Sequence, residues 1–278
     1  MKKTLAIVLA LVIVVGSIAL FAGCGKKAED ATTAPAGETP TAESDLAYVK
    51  EKGKLVVGVT DFAPMDYEDD NGEWIGFDAD MAKAFAESLG VDVEIIEIEW
   101  DNKVLELNNK TIDCVWNGMT IDDEVKAAMD VSVAYCNNAQ TVIVNKDIAD
   151  TIKGVEDCKE LNFAVEAGSA GEKQAKANEF NFTPVKDQAT ALLEIKAGTA
   201  NAAIIDSLMA AAMVGEGTAY EDLTYTISLT SEEYGVGFRQ GSDLVAAIND
   251  FFKAATADGS MAKVAETYGV QAALIDIK

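Results

Sequence analysis

Four short apolar runs, each closing on polar residues, punctuate this chain. Lys54-Leu-Val-Val-Gly-Val59 precedes Thr60-Asp61-Phe62, and Thr111-Ile-Asp-Cys-Val-Trp116 precedes Asn117-Gly118-Met119-Thr120. Leu161-Asn-Phe-Ala-Val165 precedes Glu166-Ala167-Gly168-Ser169, and Ala202-Ala-Ile-Ile205 precedes Asp206-Ser207. Runs that stay apolar without alternating read as parallel strands covered on both faces. Between them the spacing changes to the helical one. Asp78 to Leu89 aligns Met81, Ala84, Phe85 and Leu89 on one face and stops at Gly90; Gln188 to Lys196 groups Ala191, Leu192 and Ile195 before Gly198. Ser242-Asp243 caps a predicted helix carrying Leu244, Ile248, Phe251 and Phe252, and Ser260 opens a last one through Met261, Val264 and Tyr268 to Gly269. Strand–turn–helix–strand–helix–strand therefore occurs twice, over 54–130 and 160–215, which predicts two α/β lobes. Ligands in such sheets sit beyond the carboxyl ends of the strands, where all four polar segments lie, so two facing lobes converge them on one cleft.

The amino terminus changes the picture of where that body works. Lys2 and Lys3 lead an apolar run from Thr4 to Phe21, which ends at Ala22-Gly23-Cys24. A basic start, an apolar segment and small residues make a secretory signal over 1–23. A cysteine straight after small residues is similar to the bacterial lipobox, in which the sulfur receives a diacylglycerol, so Cys24 is the expected lipidation site. The competing reading is a membrane-spanning anchor, since about nineteen apolar residues are enough to span a bilayer. The polar tract that follows at once favours lipidation. Residues 25–45 carry no large apolar side chain and are expected to form a disordered tether with a reach of about 25 Å.

Composition then excludes several classes. Net charge is −25, and loss of Lys2 and Lys3 takes it to −27, which argues against nucleic acid and against direct adsorption to anionic lipid. Histidine is absent and Arg239 is the only arginine, so no Ser-His-Asp or Cys-His system and no histidine-ligated metal can form. With Cys24 acylated, Cys114, Cys136 and Cys158 remain; they lack a CxxC spacing, and buried free thiols are expected. No metal and no cofactor is expected, and no enzyme activity.

Gly72-Glu-Trp-Ile-Gly-Phe-Asp78, Ile112-Asp113 with Gly118-Met119-Thr120-Ile121, Glu232-Glu-Tyr-Gly235 and Asp258-Gly259, in this order and spacing, resemble the solute-binding proteins of bacterial polar-amino-acid ABC importers. The resemblance covers essentially the whole body after the tether. It implies a periplasmic-binding-protein-like (type II) fold, two α/β lobes joined by two crossing strands near 138–144 and 233–238. Residues 46–138 plus 236–278 then form lobe 1, and 139–235 form lobe 2. The implied function is a lipid-anchored receptor that captures a small polar solute, an amino acid in the main, by lobe closure and hands it to the transmembrane subunits of an ABC permease.

Carried over position by position, the resemblance places Phe62 and Trp100 as two rings sandwiching the ligand, with core packing as the alternative for each; Trp116 is open between the two. It places Asn117, Gly118 and Thr120 in a ligand-contacting turn leading into a helix, and Gly168, Ser169 and Ala170 as a second set of N–H donors. Asp206 corresponds to the carboxylate that receives an α-ammonium, with helix N-capping as the alternative. Asp61 and Glu166 add acidic groups beside the rings.

One position departs from the pattern. Where the family has an arginine clamping the ligand's carboxylate, this chain has Val125. A charged hydrogen bond of that kind is worth about 1.5–3 kcal/mol. Lys126 is adjacent but turned about 100° away along a helix, and Arg239 is in the wrong strand. Ala170 also lacks a hydroxyl often found there. Three ligand classes stay open: an amino acid held by backbone N–H groups, an amino-acid derivative with its carboxylate elsewhere, and a cationic solute attracted by Asp61, Glu166 and Asp206. Two other uses of the fold also stay open, a dehydratase-like enzyme with Glu166 or Asp206 as acid or base, and a sensor acting on a separate partner.

Overall fold

The computed structural model describes residues 44–278. The expected signal segment, Cys24 and the expected tether up to residue 43 lie outside the described residues. No helix among the described residues is long and apolar enough to cross a membrane.

Two large sheets form among the described residues, each around a parallel trio, beside a small two-stranded one. In the first the strands run in the order Asp92–Glu97, Lys54–Val59, Cys114–Thr120, Glu232–Phe238, Asp130–Val131, and Cys136–Asn138 also pairs with Glu232–Phe238. In the second the order is Asn181–Val185, Asn162–Glu166, Ala202–Asp206, Gln140–Asn145, Leu223–Ser228. Each lobe thus places its first strand between its second and third, the topology left by two crossover helices. The strand Lys54–Val59 is buried at every position after Lys54, as its unbroken apolar run requires when helices cover both faces. Phe77–Leu89 packs Phe77, Met81 and Phe85 inward and ends at Gly90, whose φ of 76° only glycine adopts freely; Gln188–Ala197 starts on the Asp187 side chain, which accepts from Thr190 N at 2.6 Å. The helices Leu244–Ala257 and Ser260–Tyr268 pack against the first lobe, and Trp116, Tyr135, Phe85 and Phe252 form its aromatic centre. Trp116 belongs wholly to that core.

The chain passes from the first sheet to the second at Ala139 and returns within 229–231. Glu232–Phe238, expected to straddle a boundary at 235, therefore lies wholly in the first sheet, because its backbone pairs with Cys114–Thr120 and Cys136–Asn138.

A second expectation is also corrected. Asn117 to Thr120 read as a turn, yet the strand Cys114–Thr120 runs through them, with Thr120 opposite Tyr234 and Met119 opposite Gly235. Their polar side chains are accommodated by tertiary partners, described below, and Gly118 bends the strand with φ 52°. Cys114, Cys136 and Cys158 are buried and unpaired.

Candidate functional site

The carboxyl ends of the central strands of both lobes face one another across a cavity of about 410 Å³, its open mouth included. Trp100, Asn117, Gly118, Thr120, Glu166, Gly168, Ser169, Ala170 and Asp206 all line it, so nine of the positions named from sequence meet there. Asp61 and Phe62 do not. Asp61 is exposed and faces a neighbouring groove with Tyr67, Trp74 and Glu97. Phe62 is 2% exposed, with its ring edge-on to Tyr234 and its Cε1 2.3 Å from where a Cβ on Gly118 would stand. Gly118 thus accommodates the ring behind the cavity wall, and no two-ring sandwich forms across this cavity.

The floor in the first lobe is a polar network built around Asn117. Asn117 Oδ1 accepts from Thr60 N at 3.1 Å and Thr60 Oγ1 at 2.8 Å, while Nδ2 donates to Thr60 O at 3.0 Å and Asp66 Oδ2 at 2.8 Å. Asp78 Oδ2 accepts from Gly118 N and Tyr135 OH, both at 2.7 Å. Burial pushes the Asp78 carboxyl up to about 7, and burial with the Asp78 charge beside it holds Asp66 well above the usual range. The Asn117 amide has no capacity left for a ligand and fixes the strand ends instead. The Thr120 hydroxyl donates to Glu232 Oε1 at 2.9 Å. The helix after it, Asp123–Ala128, is short, and its Val125 N–H is taken by the Asp122 side chain at 2.8 Å.

In the second lobe Asp206 ends its strand and stands at the N-cap of Ser207–Met213, but its side chain makes no capping bond. It turns into the cleft, where Oδ1 accepts from Asn138, from Gln140 at 3.0 Å and from Tyr234 OH at 2.7 Å, and Oδ2 accepts from Gln188. Burial and the Glu232 charge raise its carboxyl to about 7. Gln140 and Asn138 also reach Glu232 at 2.8 Å, so one network ties the crossing strands to the cleft. Glu166 is 3% exposed, and its Oε1 has no hydrogen-bond partner. Burial lifts this carboxyl to about 8 despite the Thr60 hydroxyl at its side. The Gly168 N–H is taken by Glu172 at 3.0 Å and the Ser169 N–H by Glu166 O at 3.2 Å; Ser169 Oγ caps Ala170–Ala177 through Glu172 N.

Away from the crossings and the Asp206 network the lobes also touch. Gly168 lies against Asp101, with a hypothetical Cβ 2.8 Å from the Asp101 Cα, so only glycine fits there. Lys173 pairs with Asp122 at 2.7 Å and Glu124 at 2.9 Å, and Lys186 pairs with Glu97. Lys103, 8% exposed, lies 4.8 Å over the Trp100 ring and donates to Trp100 O at 3.1 Å and Gly168 O at 3.0 Å. Sequence reasoning passed over Lys103, Gln140, Gln188 and Tyr234. For Lys103 a signal existed, since residues three apart share a helix face and Trp100 was already singled out. Lys126, by contrast, is exposed, and Arg239 is buried away from the cleft against Asp45. Among the described residues no cluster of acidic or sulfur ligands could hold a metal ion.

Comparison with known proteins places the chain in a family. The family model for bacterial extracellular solute-binding proteins, family 3, matches residues 55–271. The chain belongs to this family. This family-3 solute-binding protein is 30% identical over 235 residues to the L-cystine-binding protein TcyJ of Escherichia coli, with 81% of this chain and 86% of that one covered. It is 32% identical over 234 residues to the glutamine-binding protein of Geobacillus stearothermophilus, covering 80% and 87%. Among solved structures, the ancestral amino acid-binding protein AncCDT-1, a precursor of cyclohexadienyl dehydratase, superposes with a TM-score of 0.75 at 34% identity, covering 81% of this chain and 99% of that one. The two-lobe α/β fold and solute binding as the family's task are thereby established for the family-3 chain.

Proposed function

We propose that this protein is the lipid-anchored receptor of an ABC importer and that it captures an amino acid between its lobes. One observation carries the ligand class: Glu166 Oε1 is a buried acceptor on the cavity wall with nothing to accept from. An ammonium group supplies what it lacks, since a buried carboxylate is stabilised by a cation and by donated hydrogen bonds. Asp206 Oδ2, engaged by Gln188 alone, offers a second acceptor to the same group, whereas Oδ1 is filled. A polycation is disfavoured, because Lys103 and Lys173 stand on the same walls. Closure about the two crossings sequesters the solute, and the closed form is what the permease subunits read.

Calorimetry of the purified protein against the L-amino acids, L-cystine, putrescine and spermidine tests the reading. Saturable binding of an amino acid and none of either amine is the expected result; binding confined to the amines refutes it. For the anchor, palmitate labelling in the native host should mark the protein, and Cys24→Ser should abolish the label. A label that survives this substitution removes Cys24 from the proposal.

A further inference from the structure

We infer that Lys103 is the specificity-determining residue that receives the solute's carboxylate, so that the cleft selects molecules carrying both a free carboxylate and an ammonium group; this rests on the solute-cleft reading above. Two cations are buried among the described residues, Arg239 and Lys103. Arg239 is held away from the cleft, with Asp45 at 3.0 Å and the carbonyls of Leu107 and Ile112 at 3.0 and 2.9 Å. Lys103 has no carboxylate at ion-pair distance among the described residues. Its neighbour on the cavity wall, Lys173, is neutralised by Asp122 and Glu124.

The ammonium of Lys103 uses two of its three N–H groups on main-chain carbonyls, Trp100 O in one lobe and Gly168 O in the other. The indole face below it gives partial compensation only. Burial accordingly lowers the Lys103 pKa, the sign of an ammonium short of negative charge. The central cavity and the chamber beside it, lined by Val104, Ala128, Met129 and Lys176, both open onto this side chain. Across the central cavity, on the second lobe, Glu166 is the mirror case, a buried acid short of a cation. An unpaired ammonium on one lobe, and on the other a buried carboxyl that gives up its proton once a cation arrives, fit a zwitterion and give it a reason to draw the lobes together. Val125, aliphatic and on the same wall, leaves Lys103 as the cation available there.

The test begins with a thermal-shift screen of the twenty L-amino acids and L-cystine, and then compares the tightest binder with its α-carboxamide by calorimetry. The amide keeps the ammonium and the side chain and removes only the negative charge. Wild type should bind the acid about tenfold or more tightly than the amide, the range for loss of a charged hydrogen bond. Lys103→Met should bind the two alike, with its urea midpoint showing that it is folded. Equal binding of acid and amide by wild type, a measurement that needs no variant, overturns the inference while leaving the receptor reading intact. Full discrimination retained by Lys103→Met overturns it too. No binder in the whole panel refutes the amino-acid reading itself, and the inference with it.

Discussion

Replacing Glu166 by glutamine separates what the cleft costs the empty protein from what it gives the loaded one. In the unfolded chain this carboxyl titrates near 4.5; in the folded protein burial holds it neutral up to about 8. Between those values the unfolded chain has released its proton and the folded one has not, so stability falls as pH rises through the window. At about 1.4 kcal/mol per pH unit, the contribution grows to about 3 kcal/mol at pH 7 and is absent below about pH 4. Glutamine keeps the shape but has no proton to lose. Glu166→Gln should therefore be about 2–4 kcal/mol more stable than wild type in urea at pH 7.5, and close to equal at pH 4. The same change should weaken the ammonium-bearing ligand about tenfold or more, because the charged acceptor is gone. Urea titrations at the two pH values, with calorimetry at pH 7.5, measure both. A stability difference that is the same at both pH values refutes the reasoning, since it would then owe nothing to ionisation.

Other outcomes follow from the same geometry. Gly118→Ala should lose about 2–4 kcal/mol, since its Cβ would stand 2.3 Å from Phe62 Cε1 in a left-handed backbone position. Combining it with Phe62→Ala should cancel at least about 1 kcal/mol of that in a double-mutant cycle, and strict additivity would refute the clash. Arg239→Met should destabilise by about 3–5 kcal/mol in urea by stranding Asp45 and Asp113, yet leave ligand affinity unchanged in calorimetry. The empty protein's melting temperature should fall from about pH 5 to pH 8, because Asp66, Asp78, Glu166 and Asp206, all shifted upward, keep protons in the folded protein that the unfolded chain has already released. It should also fall below about pH 4, where Asp122 and Asp243, shifted downward, lose their charge. A melting temperature that rises steadily from pH 5 to pH 8 would contradict these shifts.

The frame was legible because its signals are long and local. Apolar runs such as Lys54–Val59 and the glycine stops at Gly90, Gly198 and Gly269 need no distant partner to be read. Failures fall where a polar residue is satisfied from far along the chain. Asn117 and Thr120 have turn-like chemistry, but Thr60, Asp66 and Glu232, each more than fifty positions away, meet their hydrogen bonds and let the strand continue. Asp206 is not such a failure: four donors from three other segments hold its carboxylate in the cleft, where the resemblance placed it, and not at the N-cap its position also offered. Phe62 sits beside a proline in a polar stretch, as a ligand-facing ring would, yet the missing Cβ of Gly118 opens a slot that takes it inside. Each miss is a tertiary contact overriding a sound local preference.

The contacts between the lobes set what a solute must supply. Lys173 with Asp122 and Glu124, and Lys186 with Glu97, are partly exposed pairs. Such pairs contribute about 0.2–1 kcal/mol each and weaken with salt. Against them stand the buried charges the closed cleft brings together, Lys103 without an anion and Glu166 without a cation. In an empty cleft the unpaired groups oppose closure. A zwitterion removes that penalty, because it converts both buried groups from unpaired to paired at once. Only interactions made in one state and not in the other move such an equilibrium. The switch is therefore built from the two charges that the empty protein leaves unanswered, more than from the surface pairs that first catch the eye.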